Sequence, residues 1–246
     1  MESILSTSSL TKYFGSFPVI KNVNLKIGSE RIHSIIGPNG AGKTTFFNLI
    51  TGTTPITSGN IFFEGKDITR IPHFARARIG IARSFQITNI FSEFTVFQNV
   101  RMAVQSIFIG GFKFFSNIES YPKVRKKTDG ILDYMDLSHL RDEEAGLLSH
   151  GDQRNLEMAI ALGTEPKLIL LDEPTAGMSR NEIVATTKLI KRISESIQVL
   201  LVEHKMDLIM SISDIITVLN QGEVIAVGTP SEIKSDPEVK KAYLGN

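Results

Sequence analysis

Residues 37–45, GPNGAGKTT, are the feature that most constrains how this chain folds. They lie between a predicted strand, RIHSII, and a predicted helix, KTTFFNLITG, and the pattern GxxxxGK[ST] is met there by Gly37, Gly42, Lys43 and Thr44. Glycines let backbone N–H groups turn inward around phosphate oxygens, the lysine neutralises the β and γ phosphates, and the threonine hydroxyl can bind Mg²⁺. A chain of this size shows the bare pattern by chance on the order of one time in a hundred. The sequence therefore predicts a phosphate-binding loop.

Strand patterns lie on both sides of this loop. Val19, Val23, Leu25 and Ile27 alternate with polar residues, which is the period of a half-buried strand. Further strands are predicted where apolar runs return, at residues 31–36, 167–172, 197–203, 214–219 and 223–228. Helical segments separate the runs that begin at 167, 197 and 214. The order predicts an α/β sheet.

The strand signals fade between residues 88 and 162, which indicates a helical insertion. Phe91, Phe94 and Phe97 recur at helical spacing, ahead of a Phe-rich and then Lys-rich stretch, 108–127. These three rings are interpreted as core residues or as part of a groove for another protein.

Hydroxyl and carboxylate residues mark two helix starts in the second half of the chain. Ser179 with Glu182, and Thr229 with Glu232, have the spacing of a capping box. We expect helices to begin there, with no chemistry attached.

Composition excludes several function classes. With 27 Lys and Arg against 26 Asp and Glu, the net charge is +1, and no chain-wide basic field is available to hold nucleic acid. The absence of Cys removes thiolate chemistry. Apolar runs fall short of the ~20 residues that span a bilayer, and residues 1–10 lack the pattern of a signal peptide. A membrane role is therefore expected to be peripheral, and the basic residues are interpreted as solvated faces or as contacts to lipid headgroups: Arg70, Arg76, Arg78, Arg83 and the run 123–127.

Two carboxylates end the buried strand LILLDEP. Asp172 occupies the place expected for a Mg²⁺ ligand beside a phosphate loop. Glu173, its neighbour, faces a different direction and is free to polarise a water against the γ phosphate. His204 ends another apolar strand, LLVEH, and is a candidate hydrogen-bonding sensor of that phosphate. Gln86 is a weaker candidate, because a lone Gln usually bonds backbone.

The stretch LLSHGDQRNLEMA, residues 147–159, reads as a capped helix. Ser149 and Asp152 have capping-box spacing, and an apolar stripe follows them. A helix start with a hydroxyl residue and Gly151 is also an anion site, because its N–H groups are free and its dipole attracts negative charge.

These motifs together resemble the ATPase subunit of an ATP-binding cassette (ABC) transporter, and the likeness covers the whole chain. Residues 147–159 take the place of that family's LSGGQ signature, with His150 and Asp152 as departures from it. The resemblance implies an α/β fold, a P-loop NTPase cassette with a RecA-like mixed β-sheet lobe, an antiparallel β region and an inserted α-helical lobe. It implies one domain, 1–246, with the sheet lobe and C-terminal extension in 1–87 and 163–246 and the helical lobe in 88–162.

In that family two cassettes pack head to tail and share each ATP. The resemblance implies that ATP is bound by Phe14, Gly37, Pro38, Asn39, Gly40, Ala41, Gly42, Lys43, Thr44, Thr45 and Gln86, and from the partner by Ser149, Gly151 and Gln153. It implies Mg²⁺ ligation by Thr44, Gln86 and Asp172, and catalysis by Glu173, His204 and Lys43. Residues 176–179, AGMS, fall at the family's dimer-contact loop.

Three segments resemble importer ATPases for branched-chain amino acids in particular: residues 80–104, 200–210 and 222–245. This implies hydrolysis of ATP coupled to solute uptake at the cytoplasmic face of the cell membrane. The implied partners are a second, identical or different, ABC ATPase subunit, transmembrane permease subunits and indirectly a solute-binding protein. Alternatives are urea or amide import, lipopolysaccharide export, a soluble ABC-type ATPase acting on nucleic acid or ribosomes, and a P-loop kinase.

Overall fold

A computed structural model describes residues 3–84, 90–108 and 121–244 of the chain. The strands are β1 (Leu5–Phe14), β2 (Phe17–Ile27), β3 (Ile32–Ile36), β4 (Ser58–Phe63), β5 (Lys66–Asp67), β6 (Ile81–Ser84), β7 (Leu168–Asp172), β8 (Gln198–Val202), β9 (Ile215–Asn220) and β10 (Glu223–Gly228). The α-helices are α1 (Lys43–Thr51), α2 (His73–Arg78), α3 (Val96–Phe108), α4 (Pro122–Tyr134), α5 (His150–Leu162), α6 (Arg180–Ser194), α7 (Met206–Ile212), α8 (Pro230–Ser235) and α9 (Pro237–Leu244). Short 3₁₀ turns lie at Ser138–Leu140 and Ala145–Leu147.

A six-stranded mixed sheet carries the phosphate loop. Its order is β10-β9-β3-β8-β7-β6, and only the β9–β10 pair within it is antiparallel. β3 lies between β8 and β9, where Ile32 pairs with Val199 and His33 pairs with Ile215. Because the parallel strands end at the same edge of the sheet, the residues that follow β3, β7 and β8 are brought together there.

A four-stranded antiparallel sheet, ordered β2-β1-β4-β5, forms the other β region. The predicted strand beginning at Val19 is its β2, whereas the next predicted strand, 31–36, is β3 of the mixed sheet. Two strands that are adjacent in sequence thus belong to different sheets. Their different burial fits this placement, because β3 is buried throughout and β2 alternates only in part.

Most predicted helix boundaries are confirmed. The helix after the phosphate loop ends at Gly52, which has a left-handed φ of 76° and donates its N–H to Leu49. Complete capping boxes start α6 at Ser179 and α8 at Thr229.

The prediction that Phe91, Phe94 and Phe97 lie on one helix was wrong for Phe91 and Phe94. Phe91 and Phe94 precede α3 and stack on each other with their ring centroids 5.3 Å apart, whereas Phe97 is buried inside the helix. Asn99 explains why the helix begins only after Phe94. Its side-chain oxygen accepts the N–H of Phe91, and its side-chain NH₂ donates to the Phe91 carbonyl. The turn before α3 is thus held by hydrogen bonds that a periodicity argument does not see.

The helices α3, α4 and α5 pack on one another and on the mixed sheet. Their shared core joins Val100 and Leu132 of the helices to Leu171 of β7. In the described residues no helix is long and apolar enough to cross a membrane. The division into lobes at residues 88 and 162 stays a prediction.

Candidate functional site

The phosphate loop, residues 37–42, turns sharply between β3 and α1. Gly37 and Gly42 have φ values of 155° and 102°, which L side chains rarely adopt. Space forbids a side chain as well. A Cβ on Gly37 would lie 2.0 Å from the carbonyl oxygen of Leu219, and one on Gly42 would lie 2.8 Å from that of Val19. The neighbouring strands therefore require glycine at both positions.

Lys43 lies buried under the loop. Its Nζ donates to the carbonyl oxygens of Gly37, at 2.8 Å, and Pro38, at 3.1 Å. Burial lowers the pKa of the Lys43 ammonium group, and the negative charges of Glu173 and Asp172 act in the opposite direction. The ammonium group is thus fixed inside the concave side of the loop.

The start of α1 is open to an anion. Gly42 is its N-cap, no side chain caps it, and no acidic residue lies in its first turn. The first N–H groups of a helix lack partners within the helix and carry the positive end of its dipole. Such a start binds phosphate oxygens with no competing carboxylate of its own helix.

A cavity of about 270 Å³ is bounded by residues 39–42 of the loop and by all three side chains that were predicted to be catalytic. It is lined by Val19, Asn39, Gly40, Ala41, Gly42, Lys43, Thr44, Thr45, Glu173 and His204. The structure thus brings together the predicted phosphate-binding, base and sensor residues.

Asp172 ends β7 and is 1 % exposed. Its Oδ2 accepts a hydrogen bond from Arg83 Nη2 at 2.7 Å, whereas its Oδ1 is buried with no hydrogen-bond partner among the described residues. Burial raises the pKa of Asp172, and the ion pair with Arg83 opposes that rise. A buried carboxylate oxygen without a donor suits a cation ligand.

Two of the arginines that were interpreted as surface residues are buried, so that interpretation was wrong for them. The side chain of Arg83 is 6 % exposed and also donates to Asn48 of α1, at 2.6 Å. Arg76 donates to the carbonyl oxygens of Leu49 and Ile50 and so caps the end of α1. Both guanidinium groups thus donate hydrogen bonds to residues of α1. The sequence alone contains no signal that predicts either contact.

Glu173 and His204 contact each other across the cavity. His204 Nε2 lies 2.7 Å from Glu173 Oε1, and since an ionised carboxylate can only accept, the ring nitrogen donates. The backbone of Glu173 is left-handed, with a φ of 51°, and its N–H bonds the carbonyl of Val202. This turn places the Glu173 carboxylate, 19 % exposed, at the cavity wall, where it can accept a proton from a water molecule.

A buried network that the sequence did not reveal fixes the chain on either side of this pair. Glu203, 4 % exposed, accepts hydrogen bonds from the N–H and the hydroxyl of Thr175, and Lys205 donates to the Thr175 carbonyl. Thr175 lies two residues after Glu173, and Glu203 immediately precedes His204. The network therefore sets the separation of the two cavity residues. An acidic residue inside the apolar run LLVEH was the available signal.

The start of α5 lies outside this cavity. Ser149 Oγ accepts the N–H of Asp152 at 3.1 Å, as predicted, but the Asp152 carboxylate contacts the Ser149 hydroxyl instead of the N-cap N–H. The predicted capping box is therefore only half formed. Gln153 donates to the carbonyl of Ala145 within its own chain. Ser149 is exposed, and Gly151 is buried.

Two more residues, Phe14 and Gln86, were predicted to contact the nucleotide. Phe14 ends β1 and is 53 % exposed, and its ring centroid lies 4.9 Å from Lys12 Nζ. An exposed aromatic ring is suited to stacking. Gln86 falls outside the described residues.

Comparison with protein families gives two matches. The family model described as ABC transporter matches residues 20–176. A second, described as branched-chain amino acid ATP-binding cassette transporter, matches residues 223–246.

Curated relatives and solved structures agree with these matches. The chain is 39 % identical to the high-affinity branched-chain amino acid transport ATP-binding protein BraF of Pseudomonas aeruginosa, over 98 % of both chains. It is 38 % identical to the corresponding protein LivG of Escherichia coli, over 99 % of this chain and 98 % of the relative. A nucleotide-free ATP-binding cassette from an ABC transporter superposes with a TM-score of 0.87 at 33 % identity, over 99 % of this chain and 100 % of that one.

Proposed function

This chain belongs to the ABC transporter family as one of its ATPases, and from that premise we propose that it powers an importer of branched-chain amino acids. ATP hydrolysis by this chain is supported by one observation: Lys43, Glu173 and His204 line the same cavity at the phosphate loop.

The steps of hydrolysis are assigned to the residues of this cavity. The N–H groups of the phosphate loop and Lys43 hold the β and γ phosphates of ATP. Glu173 orients a water molecule against the γ phosphate and takes its proton, and His204 fixes the Glu173 carboxylate and senses the phosphate. The products are ADP and inorganic phosphate.

Magnesium fits the residues beside the loop. The buried, unpartnered Oδ1 of Asp172 and the exposed hydroxyl of Thr44 are oxygen donors of the kind that Mg²⁺ prefers. The described residues include no group of three or more His, Asp or Glu side chains that could hold a metal ion alone, which suits an ion that arrives with the nucleotide. When bound, the ion neutralises charge that develops on the phosphates.

The second half of each site is assigned to another cassette. Ser149, Gly151 and Gln153 of one chain contact the ATP held by the phosphate loop of its partner, and Phe14 stacks on adenine. For Gln86, which lies outside the described residues, the proposed contact to Mg²⁺ and nucleotide rests on the family resemblance alone. Closing and reopening of the pair moves the membrane subunits.

The solute and the location are inferred from the relatives. BraF and LivG are named for branched-chain amino acid transport, and the matching C-terminal family model, residues 223–246, has the same description. We place the chain at the cytoplasmic face of the membrane, bound to permease subunits that receive solute from a binding protein.

The test is purification of the full transporter from native membranes, followed by reconstitution into vesicles. We expect ATP-dependent uptake of leucine, isoleucine or valine when the solute-binding protein is added, and no uptake with Lys43→Ala. Uptake of urea alone, or co-purification with lipopolysaccharide-exporting subunits, would contradict the proposed solute and leave the ATPase assignment intact.

A further inference from the structure

Arg83 connects the two elements that carry Thr44 and Asp172, two of the proposed Mg²⁺ ligands. It lies in β6, beside β7 in the mixed sheet, and its Nη2 donates to Asp172 Oδ2 at 2.7 Å. Its Nη1 donates to Asn48 Oδ1 at 2.6 Å. Asn48 belongs to α1, one turn after Thr44. The guanidinium group thus bridges the helix of Thr44 and the strand that ends at Asp172.

The bridge is buried and closely packed. The side chains of Arg83 and Asp172 are 6 % and 0 % exposed, and Arg83 Cζ lies 5.7 Å from the ring centroid of Phe47 in α1. Residues four apart in a helix share a face, so Asn48 and Thr44 lie on one side of α1. A shift of Asn48 relative to Arg83 therefore also shifts Thr44 relative to Asp172.

The two oxygens of the Asp172 carboxylate are used differently. Oδ2 accepts from Arg83, whereas Oδ1 is buried and has no hydrogen-bond partner among the described residues. A buried polar atom of this kind is rare and calls for a partner. Because Arg83 bonds Oδ2, it holds the carboxylate in place and leaves Oδ1 to a cation.

Resting on the function proposed above, we propose that Arg83 is a positioning residue that sets the separation of Thr44 and Asp172 and thereby makes the site selective for Mg²⁺ over Ca²⁺. Mg²⁺ demands near-octahedral ligands at about 2.0 to 2.1 Å, whereas Ca²⁺ accepts irregular ligand sets at about 2.3 to 2.6 Å. A fixed separation of ligands therefore favours Mg²⁺, and loosening it harms Mg²⁺ binding more than Ca²⁺ binding.

Other roles of Arg83 predict different results. If only its charge mattered, it would repel both ions, and its removal would strengthen the binding of both. If Arg83 only stabilised the fold, its removal would lower the free energy of unfolding without changing the preference between the two ions. A selective loss of Mg²⁺ binding follows from the positioning role alone.

The chain offers a matched control in a second buried ion pair. Arg154 Nη1 donates to Glu157 Oε2 at 2.8 Å, and the two side chains are 7 % and 5 % exposed. Both residues lie in α5, and neither lines the cavity at the phosphate loop. Arg154→Met thus removes a buried guanidinium group from a carboxylate, as Arg83→Met does, in a pair that includes neither α1 nor β7.

The experiment measures binding of a non-hydrolysable ATP analogue to the purified chain by isothermal titration, without metal, with Mg²⁺ and with Ca²⁺. The dissociation constant without metal, divided by that with metal, gives the enhancement by each ion. We expect Arg83→Met to lower the Mg²⁺ enhancement about tenfold or abolish it, and the Ca²⁺ enhancement by no more than about threefold. Binding without metal should stay within about twofold, and Arg154→Met should change none of the three constants.

Several outcomes would overturn the proposal. They are an unchanged or higher Mg²⁺ enhancement in Arg83→Met, an equal loss for Mg²⁺ and Ca²⁺, and the same loss in Arg154→Met. Weaker binding without metal would also overturn it, because Arg83 would then support the phosphate loop itself. An unaltered chain that binds the analogue equally well with and without Mg²⁺ has the same consequence.

Arg83→Lys separates the bridge from the charge. Lysine keeps the positive charge, but its ammonium group is a single point donor and does not reproduce the planar fork of a guanidinium group. We expect the Mg²⁺ enhancement to stay below that of the unaltered chain. Full recovery would mean that the charge suffices, and would overturn the proposal.

Asn48→Ala covers the case in which Arg83→Met does not fold. It breaks the α1 end of the bridge and leaves the ion pair between Arg83 and Asp172 in place. We expect the Mg²⁺ enhancement to fall about two- to tenfold, the weight of one hydrogen bond, judged by the same criteria. If the unaltered chain binds no ATP analogue, the proposed function itself has failed, which is a separate result from binding with an unchanged metal preference.

Discussion

The starts of α1 and α5 are the two proposed phosphate contacts of this chain, yet they are built in opposite ways. Gly42 begins α1 with no side-chain cap and no acidic residue in the first turn. α5 begins with a Ser149 cap, carries Asp152 in its first turn and lies against the carboxylate of Glu182. Both starts carry the same backbone N–H groups and the same positive dipole end.

The difference teaches how one chain can bind nucleotide without closing on a partner prematurely. At α1 the N–H groups are left to the ligand, and Lys43 adds a positive charge. At α5 the N–H of Asp152 is already bonded to the Ser149 hydroxyl oxygen of the same chain, so a phosphate gains less there. ATP should therefore bind first at α1, and the contact at α5 follows.

The largest expected effect is a loss of ATP hydrolysis without a loss of ATP binding at α1. Glu173→Gln should slow hydrolysis by roughly 10² to 10⁴, the usual weight of a general base, with ATP binding retained, because the loop and Lys43 are untouched. Steady-state hydrolysis and nucleotide titration measure the two quantities. Glu165→Gln is the control, since Glu165 shares the left-handed backbone, with a φ of 52°. Unchanged turnover in Glu173→Gln would exclude the role of base.

Lys43→Ala should weaken ATP binding itself. A charge-assisted hydrogen bond contributes about 1.5 to 3 kcal/mol, so the dissociation constant should rise about 10- to 150-fold. Isothermal titration with a non-hydrolysable ATP analogue measures it. Lys21→Ala, which breaks only an exposed ion pair with Glu223, should have no effect. Equal affinity of the two variants for the ATP analogue would mean that the start of α1 is not the primary nucleotide site.

Ser149→Ala should show that α5, unlike α1, depends on its side-chain cap. The variant leaves the N–H of Asp152 without its acceptor and should reduce the free energy of unfolding by about 0.5 to 2 kcal/mol. Urea denaturation measures the loss, and Ser235→Ala, whose hydroxyl bonds carbonyls inside α8, is the control. An equal loss of unfolding free energy in Ser235→Ala would mean that the Ser149 cap stabilises the chain no more than an ordinary serine hydroxyl inside a helix does.

The smallest expected effect concerns the charge of Asp152. Asp152→Asn should lower the ATP concentration needed for half-maximal hydrolysis by about two- to fivefold, because a carboxylate in the first turn repels phosphate. Asp207→Asn, which also removes a carboxylate from the first turn of a helix, α7, is the control and should leave the ATP requirement unchanged. A higher ATP requirement in Asp152→Asn would mean that this carboxylate supports the site.

Local features of the fold and site could be predicted from the sequence, because neighbouring residues encode them. The phosphate loop, the strand that ends at Asp172 and the caps at Ser179 and Thr229 each depend on a few consecutive residues. Fold class followed from their order, as the ABC cassette structures confirm.

Pairings across the chain could not be predicted in this way. Arg83 meets Asp172 from another strand, and Glu182 reaches Gly151 from another helix. Such contacts leave no periodic trace in the sequence, since a single charged residue is compatible with a solvated surface as well as a buried pair.

The central position of β3 has a consequence for the order in which the protein is made. Its strand partners are β8 and β9, so Ile32 can pair with Val199, and His33 with Ile215, only after those later residues have been synthesised. A ribosome therefore releases the whole GPNGAGKTT segment long before the strands that will flank it have been translated. Parallel pairings this remote form late and slowly, and until they do, the nascent chain contains the nucleotide motif without a nucleotide pocket.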